Sequence, residues 1–134
     1  MQLEATHMMK TLGIEIVELE KDRVVMTMPV DDRTRQPYGM LHGGASVALA
    51  ESAASFGTAL NLDLEKQMGV GLEISANHIR PKSDGQVTAT AVPVHRGRTT
   101  MVWDIRITDE QGRLICVSRC TVAVVSRERA GESQ

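Results

Sequence analysis

Two adjacent glycines, Gly43 and Gly44, open a run to about Leu60 that carries almost no polar side. Ala45, Val47, Ala48, Leu49, Ala50, Ala53, Ala54, Phe56, Ala59 and Leu60 leave no broad hydrophilic stripe. A helix that is apolar nearly all round is a buried one. The run is too short, and too interrupted by Ser, Glu and Thr, to be a membrane span of ~20 apolar residues. One carboxylate, Glu51, stands in its middle. Burying an unpaired carboxylate is costly, so an acid in a core helix has a partner or a task. The stretch therefore predicts both the core of the fold and the group that does its chemistry.

The rest of the chain bounds what that core can be. At 134 residues it is one domain, 1–134, able to bury about two-thirds of the surface its unfolded chain exposes. A net charge of −2 offers no basic footprint for nucleic acid. A hydrophobic content of 42% excludes a disordered chain. No N-terminal segment combines a basic region, an apolar stretch and a small-residue cleavage site, so a cytoplasmic location with no membrane partner is expected. Cys116 and Cys120 are four apart in a predicted strand, on one face and about 13 Å from each other. That is too far for a disulfide, and they read as small core hydrophobes in a reducing compartment. There is no P-loop, no dinucleotide glycine motif and no zinc-ligand spacing.

Taken in order, residues Leu3 to Leu12 are expected to form a short amphipathic helix. Gly13–Leu19 and Arg23–Val30 read as two strands, with Glu20-Lys21-Asp22 as the turn between them. A polar connection, Asp31–Gly39, leads to the apolar helix, and Asn61–Gln67 returns the chain to the surface. Four further strands are expected at Val70–Arg80, Gln86–His95, Arg98–Thr108 and Leu114–Val125. Their period-two alternation and glycine-containing turns predict an antiparallel meander with one wet face. Residues 126–134 are charged and expected to fray. Six strands and one long helix inserted after the second make an α+β domain, its sheet curled around the helix. One sheet covers only part of so apolar a helix, which predicts a second copy of the chain on a two-fold axis.

This order of elements resembles the hotdog-fold acyl-CoA thioesterases. The resemblance runs from about Gly13 to Val125 and is carried by three stretches. These are Arg35-Gln36-Pro37-Tyr38-Gly39-Met40-Leu41-His42-Gly43-Gly44, the helix with its acid eight residues on, and Asn77-His78-Ile79-Arg80. Within that family the chain is similar to the branch holding phenylacetate-pathway, Arthrobacter-type 4-hydroxybenzoyl-CoA and menaquinone-pathway dihydroxynaphthoyl-CoA thioesterases. The phenylacetate members carry Asp at the acidic position. Glu51 matches the hydroxyaryl-CoA members and implies an aromatic acyl group. The resemblance also implies a homotetramer, a dimer of dimers, and no cofactor, CoA being part of the substrate.

Thioester hydrolysis needs a polarised carbonyl, a base or nucleophile opposite it, and a grip on CoA. The first amides of a helix lack intrahelical partners and carry the positive end of its dipole. Gly43 is therefore expected to donate to the developing oxyanion. Glu51 is expected either to attack the carbonyl or to activate water, alternatives the sequence leaves open. Ser55, four residues on and on the same helix face, would orient that water or carboxylate. Gln36 and His42 match family positions that contact the thioester, although His42 could instead hold the loop. His78, Arg80, His95, Arg96, Arg98 and Thr99 are expected to hold the CoA phosphates, as Arg and hydroxyl donors do. Gly43 and Glu51 lie about 12 Å apart on a helix rising ~1.5 Å per residue. A reacting carbonyl must sit about 3 Å from each. One helix cannot serve both ends of one substrate, so two chains are expected to share each site. Two other readings compete: a hotdog hydratase or dehydratase using His42 with the acid, and a non-catalytic acyl-CoA-binding module.

Overall fold

The computed structural model describes residues 3–127. The elements run α1 (His7–Thr11), β1 (Glu15–Glu20), β2 (Arg23–Pro29), α2 (Gly43–Leu60), β3 (Gln67–His78), β4 (Gln86–Arg96), β5 (Thr100–Thr108) and β6 (Leu114–Ser126). The expected N-terminal helix is present but only five residues long. The Thr6 side chain makes no capping hydrogen bond, and Gly13 turns the chain out of the helix with φ +77°. Of the tail expected to fray, Ser126 closes β6 opposite Gln67, and the Arg127 N–H donates to the Lys66 carbonyl at 2.9 Å. Residues 128–134 lie outside the described part of the chain.

All six strands join one antiparallel sheet in the order β1-β2-β4-β5-β6-β3. The four-strand meander expected after the helix is corrected here. Only β4, β5 and β6 run as a meander, while β3 crosses to the far edge and pairs with β6. Burial explains the arrangement. Val24, Val25, Met26 and Met28 of β2 are all buried and need a neighbour on both sides. β3 leaves Val70 and Leu72 exposed, the latter at 62%, and tolerates an edge. Among the described residues no helix is long and apolar enough to cross a membrane.

The sheet's inner face wraps α2, and the contact is close because the helix presents Ala50, Ala53, Ala54 and Gly57. Trp103 of β5 fills the space against Gly57, where a Cβ would come 2.7 Å from the indole Cζ2. Its Nε1–H donates to Thr58 Oγ1 at 2.9 Å, and that hydroxyl donates to the Ala54 carbonyl at 2.9 Å. Both polar groups are thereby satisfied inside the core, as burial requires. The helix ends at Asn61, whose Nδ2 donates to the Gly57 carbonyl at 2.8 Å and the Lys21 carbonyl at 2.9 Å. The C-terminus of α2 is thus tied to the β1–β2 turn.

At the other end of α2, Lys82 anchors the connection from β3 to β4. Its carbonyl accepts from the Leu41 N–H at 2.7 Å, and its ammonium meets Glu110 Oε1 at 2.8 Å. The hydrogen bond from Lys82, with backbone N–H donors at Glu110 and Gln86, holds the Glu110 carboxyl at about 2, below its usual 4.5. A carboxyl with a lowered folded pKa contributes stability above its unfolded value and loses it as protons bind the folded state. We expect this contribution to fade between about pH 4.5 and about 2. Melting curves across that interval check it: Glu110→Gln should melt lower than wild type near neutrality, and the gap should close as the acid limit is reached.

Candidate active site

The loop before α2 is built to deliver a helix N-terminus. Thr34 Oγ1 donates to the Pro29 carbonyl at 2.8 Å, and the His42 N–H donates to the Thr34 carbonyl at 2.8 Å. Between them a tight turn closes with the Gln36 N–H on the Met40 carbonyl at 2.7 Å, made possible by Gly39 at φ +90°. The Tyr38 N–H donates to Gln36 Oε1. The Gln36 carboxamide oxygen is therefore engaged, which leaves its amide hydrogens for whatever lies beyond the loop.

His42 caps the helix. Its Nδ1 accepts from the Gly44 N–H at 2.8 Å, and its carbonyl accepts from the Ala45 and Ser46 N–H groups at 3.0 and 3.2 Å. One first-turn donor is left over: the Gly43 N–H has no acceptor among the described residues. An orphan amide at the positive end of a helix dipole is a prepared anion site. It opens onto a cavity of about 310 Å³. Gln36, Ser46, His78 and Arg80 give that cavity its polar groups, and Met40, Leu41, Ile79 and Ile115 its apolar wall. The His78 ring lies over Gly43, where a Cβ would come 2.8 Å from Nε2. A side chain at position 43 would therefore collide with the ring and cover the amide.

Glu51 sits two turns further along α2, half-buried, in no hydrogen bond or ion pair among the described residues. Its carboxylate lies over Gly71 of β3, with Cδ 3.3 Å from where a Cβ would stand. Its charge reaches the Cys120 thiol. Burial, with the charges of Glu51 and Glu73 adding to it, pushes that thiol up to about 12. Cys116 is also raised by burial. Both thiols are free and buried. Thiols held protonated do not react, so the folded protein is expected to titrate no thiol at pH 8, and the unfolded chain two. A thiol reagent with and without denaturant checks this, and a silent native protein makes the same reagent usable for following CoA release.

The predicted residues fall into four places. Gln36, Gly43, His78 and Arg80 meet at the cavity. Glu51 and Ser55 lie on the same helix beyond it, over the edge of the sheet. His42 borders a separate hollow of about 250 Å³ on the other side of the helix start, with Arg33 and Arg35 at its rim. His95, Arg96, Arg98 and Thr99 gather at the opposite end of α2: Arg96 Nη1 reaches Asn61 Oδ1 at 3.4 Å, and the Thr99 carbonyl accepts from Val124 N–H at 2.8 Å. A helix of 18 residues spans about 27 Å, so the basic residues at its two ends do not meet within one chain.

Two residues at the site escaped the sequence reading. Ser46, 1% exposed, borders the cavity one turn after Gly43. Its spacing from Gly43 was the available signal. Gly71 is the other, and its signal was a glycine inside a strand, which marks a close approach.

Comparison with known proteins agrees with this architecture. The family model for the thioesterase superfamily matches residues 38–116. ComA2 of Bacillus subtilis (strain 168) is 58% identical over 120 residues, covering 90% of this chain and 95% of that protein. The 1,4-dihydroxy-2-naphthoyl-CoA hydrolase of Listeria monocytogenes serotype 1/2a is 49% identical over 120 residues, covering 90% and 97%. Among solved structures, thioesterase HI1161 from Haemophilus influenzae superposes with a TM-score of 0.83 at 50% identity, covering 87% of this chain and 81% of that one. With a matched family model over more than half its length and relatives of this likeness, the chain belongs to the thioesterase superfamily, has its hotdog fold, and is a thioester hydrolase.

Proposed function

We propose that this protein hydrolyses the thioester of a hydroxyaryl-CoA or closely related acyl-CoA, releasing the free acid and CoA. The observation that carries the reading is the pairing of an orphan amide, Gly43 N–H, with an uncommitted carboxylate, Glu51, on one unbroken helix. The Gly43 amide receives the thioester oxygen and stabilises its negative charge as the carbonyl carbon becomes tetrahedral. The amide hydrogens of Gln36 add a second donor nearby. Glu51 supplies the other half. It either takes the proton of a water whose oxygen attacks the carbonyl carbon, or attacks that carbon itself and is released when water cleaves the anhydride. In both routes the C–S bond breaks and the electron pair leaves on sulfur. In the first, the proton taken from water passes through Glu51 to the departing thiolate. In the second, the thiolate leaves as the anhydride forms and is balanced by the proton that water releases when it cleaves the anhydride to the acid and the Glu51 carboxylate. Ser55, one turn beyond Glu51, orients the attacking group. No metal or cofactor enters this scheme.

Two copies of the chain complete each site. Gly43 lies beneath His78 and Glu51 lies above Gly71, and both marker residues are on β3, one of the two edge strands of the sheet. An antiparallel pairing of two β3 strands about an axis between Ile74 and Ser75 sets His78 of one copy opposite Gly71 of the other. That register brings the helix start of one protomer toward the acid of its partner, and it covers the exposed Val70 and Leu72. The same two-fold brings the basic residues at the far end of the partner's helix toward Arg80, where together they can hold the CoA phosphates. Two such dimers pack as a tetramer. The name of the Listeria relative, a hydrolase of a dihydroxylated aromatic acyl-CoA, favours an aryl substrate. The apolar wall of Met40, Leu41, Ile79 and Ile115 accepts a flat ring without stacking it. His42 spends its Nδ1 on the helix cap, which leaves it poorly suited to the proton shuttle of a hydratase.

Thiol release from a panel of aryl- and alkyl-CoAs tests the activity, and light scattering of the same sample tests the assembly. Fastest turnover is expected on hydroxyaryl-CoAs by a dimer or tetramer. A protein that binds the panel but frees no thiol, or an active monomer, overturns the reading.

A further inference from the structure

We infer that Gly71 is a positioning residue for the reaction, its missing side chain being what allows Glu51 to rest its carboxylate against the sheet edge. The inference builds on the catalytic role proposed for Glu51. Glycine weakens the interior of a strand, so its presence there wants a reason. Backbone conformation is not the reason: Gly13, Gly39, Gly85 and Gly112 take positive φ, and Gly71 does not. Packing against the core is not the reason either. A Cβ at Gly71 would meet three atoms, Oε2, Cδ and Cγ, and all three belong to Glu51. At Gly69, two positions earlier, the neighbours of a Cβ would be Thr58 Cγ2 and Val122 Cγ1, both at 3.1 Å. The register of β3 against β6 also shifts between Gly71 and Glu73, so Leu72 bulges from the ladder just where the acid lies. Bulges commonly bend a strand beside a working group. Among the described residues of the chain, the group that a methyl at position 71 displaces is therefore the free end of the acid. That end is flexible, so the chain folds and the carboxylate moves.

The test is Gly71→Ala, compared with Gly69→Ala, Glu51→Ala and the double variant Glu51→Ala with Gly71→Ala. A displacement of about 1 Å from the reacting carbon is expected to lower kcat by about 100-fold. KM should stay within about threefold, because the cavity that grips the substrate is untouched. Thermal midpoint and oligomeric mass should equal wild type. Gly69→Ala should keep kcat, and the double variant should be no slower than Glu51→Ala alone, since the two changes remove one contribution. Wild-type kcat in Gly71→Ala overturns the inference. So does a loss that tracks a lowered thermal midpoint, or one that Gly69→Ala reproduces. If instead Glu51→Ala itself hydrolyses at the wild-type rate, the role of Glu51 falls, and the two failures are told apart.

Discussion

Glu51→Ala and Glu51→Gln are expected to lose about a thousandfold in kcat, the scale on which a positioned base acts. That corresponds to about 4 kcal/mol of transition-state stabilisation. Both should keep their fold. Glu51 has no ion pair or hydrogen bond among the described residues to forfeit, so removing its charge from a half-buried place should leave the thermal midpoint unchanged or slightly higher. Stability and activity would then move in opposite directions at one residue, the signature of a group kept for its chemistry. Glu51→Gln sharpens the result because the amide keeps the shape and loses the basicity. Steady-state kinetics beside calorimetry checks both halves. Near wild-type hydrolysis in either variant removes Glu51 from the mechanism.

Trp103→Ala is expected to be the most destabilising single change in the core, at about 3–5 kcal/mol. Trp103 is fully buried and is the largest such side chain. Its removal empties the space between β5 and Gly57 and deletes the hydrogen bond to Thr58. The helix cannot settle into the gap, because α2 is held at both ends, by the His42 cap and by Asn61. A cavity that cannot collapse costs more than the transfer of the ring alone. Denaturant titration should show a lower midpoint with an unchanged slope. A loss below about 1 kcal/mol would mean the neighbours do repack, contrary to the rigidity argued here.

Much of this protein was legible along the chain because the information was local. The apolar run with its two glycines announced a buried helix, and the helix is Gly43–Leu60. Alternation at period two announced the strands, and their bounds agree to within a few residues. The orphan amide and the isolated acid could be named in advance, since a helix start and a charge in an apolar run are both properties of consecutive residues.

What the tertiary structure alone decided is which segments lie side by side. Strand order depends on how much of each strand both neighbours bury, and β3 went to the edge where a meander was expected. Arg80 and Arg96 both follow from strand ends and turns as candidates for the CoA phosphates, yet they stand at opposite ends of α2. Three glycines make the point most directly. Gly43, Gly57 and Gly71 are indistinguishable as letters, but one lies under His78, one against Trp103 and one beneath Glu51. Each neighbour is twenty or more residues away in sequence, and no period or spacing encodes it. Local preferences wrote the elements; only the closing of the sheet around the helix assigned those glycines their separate tasks.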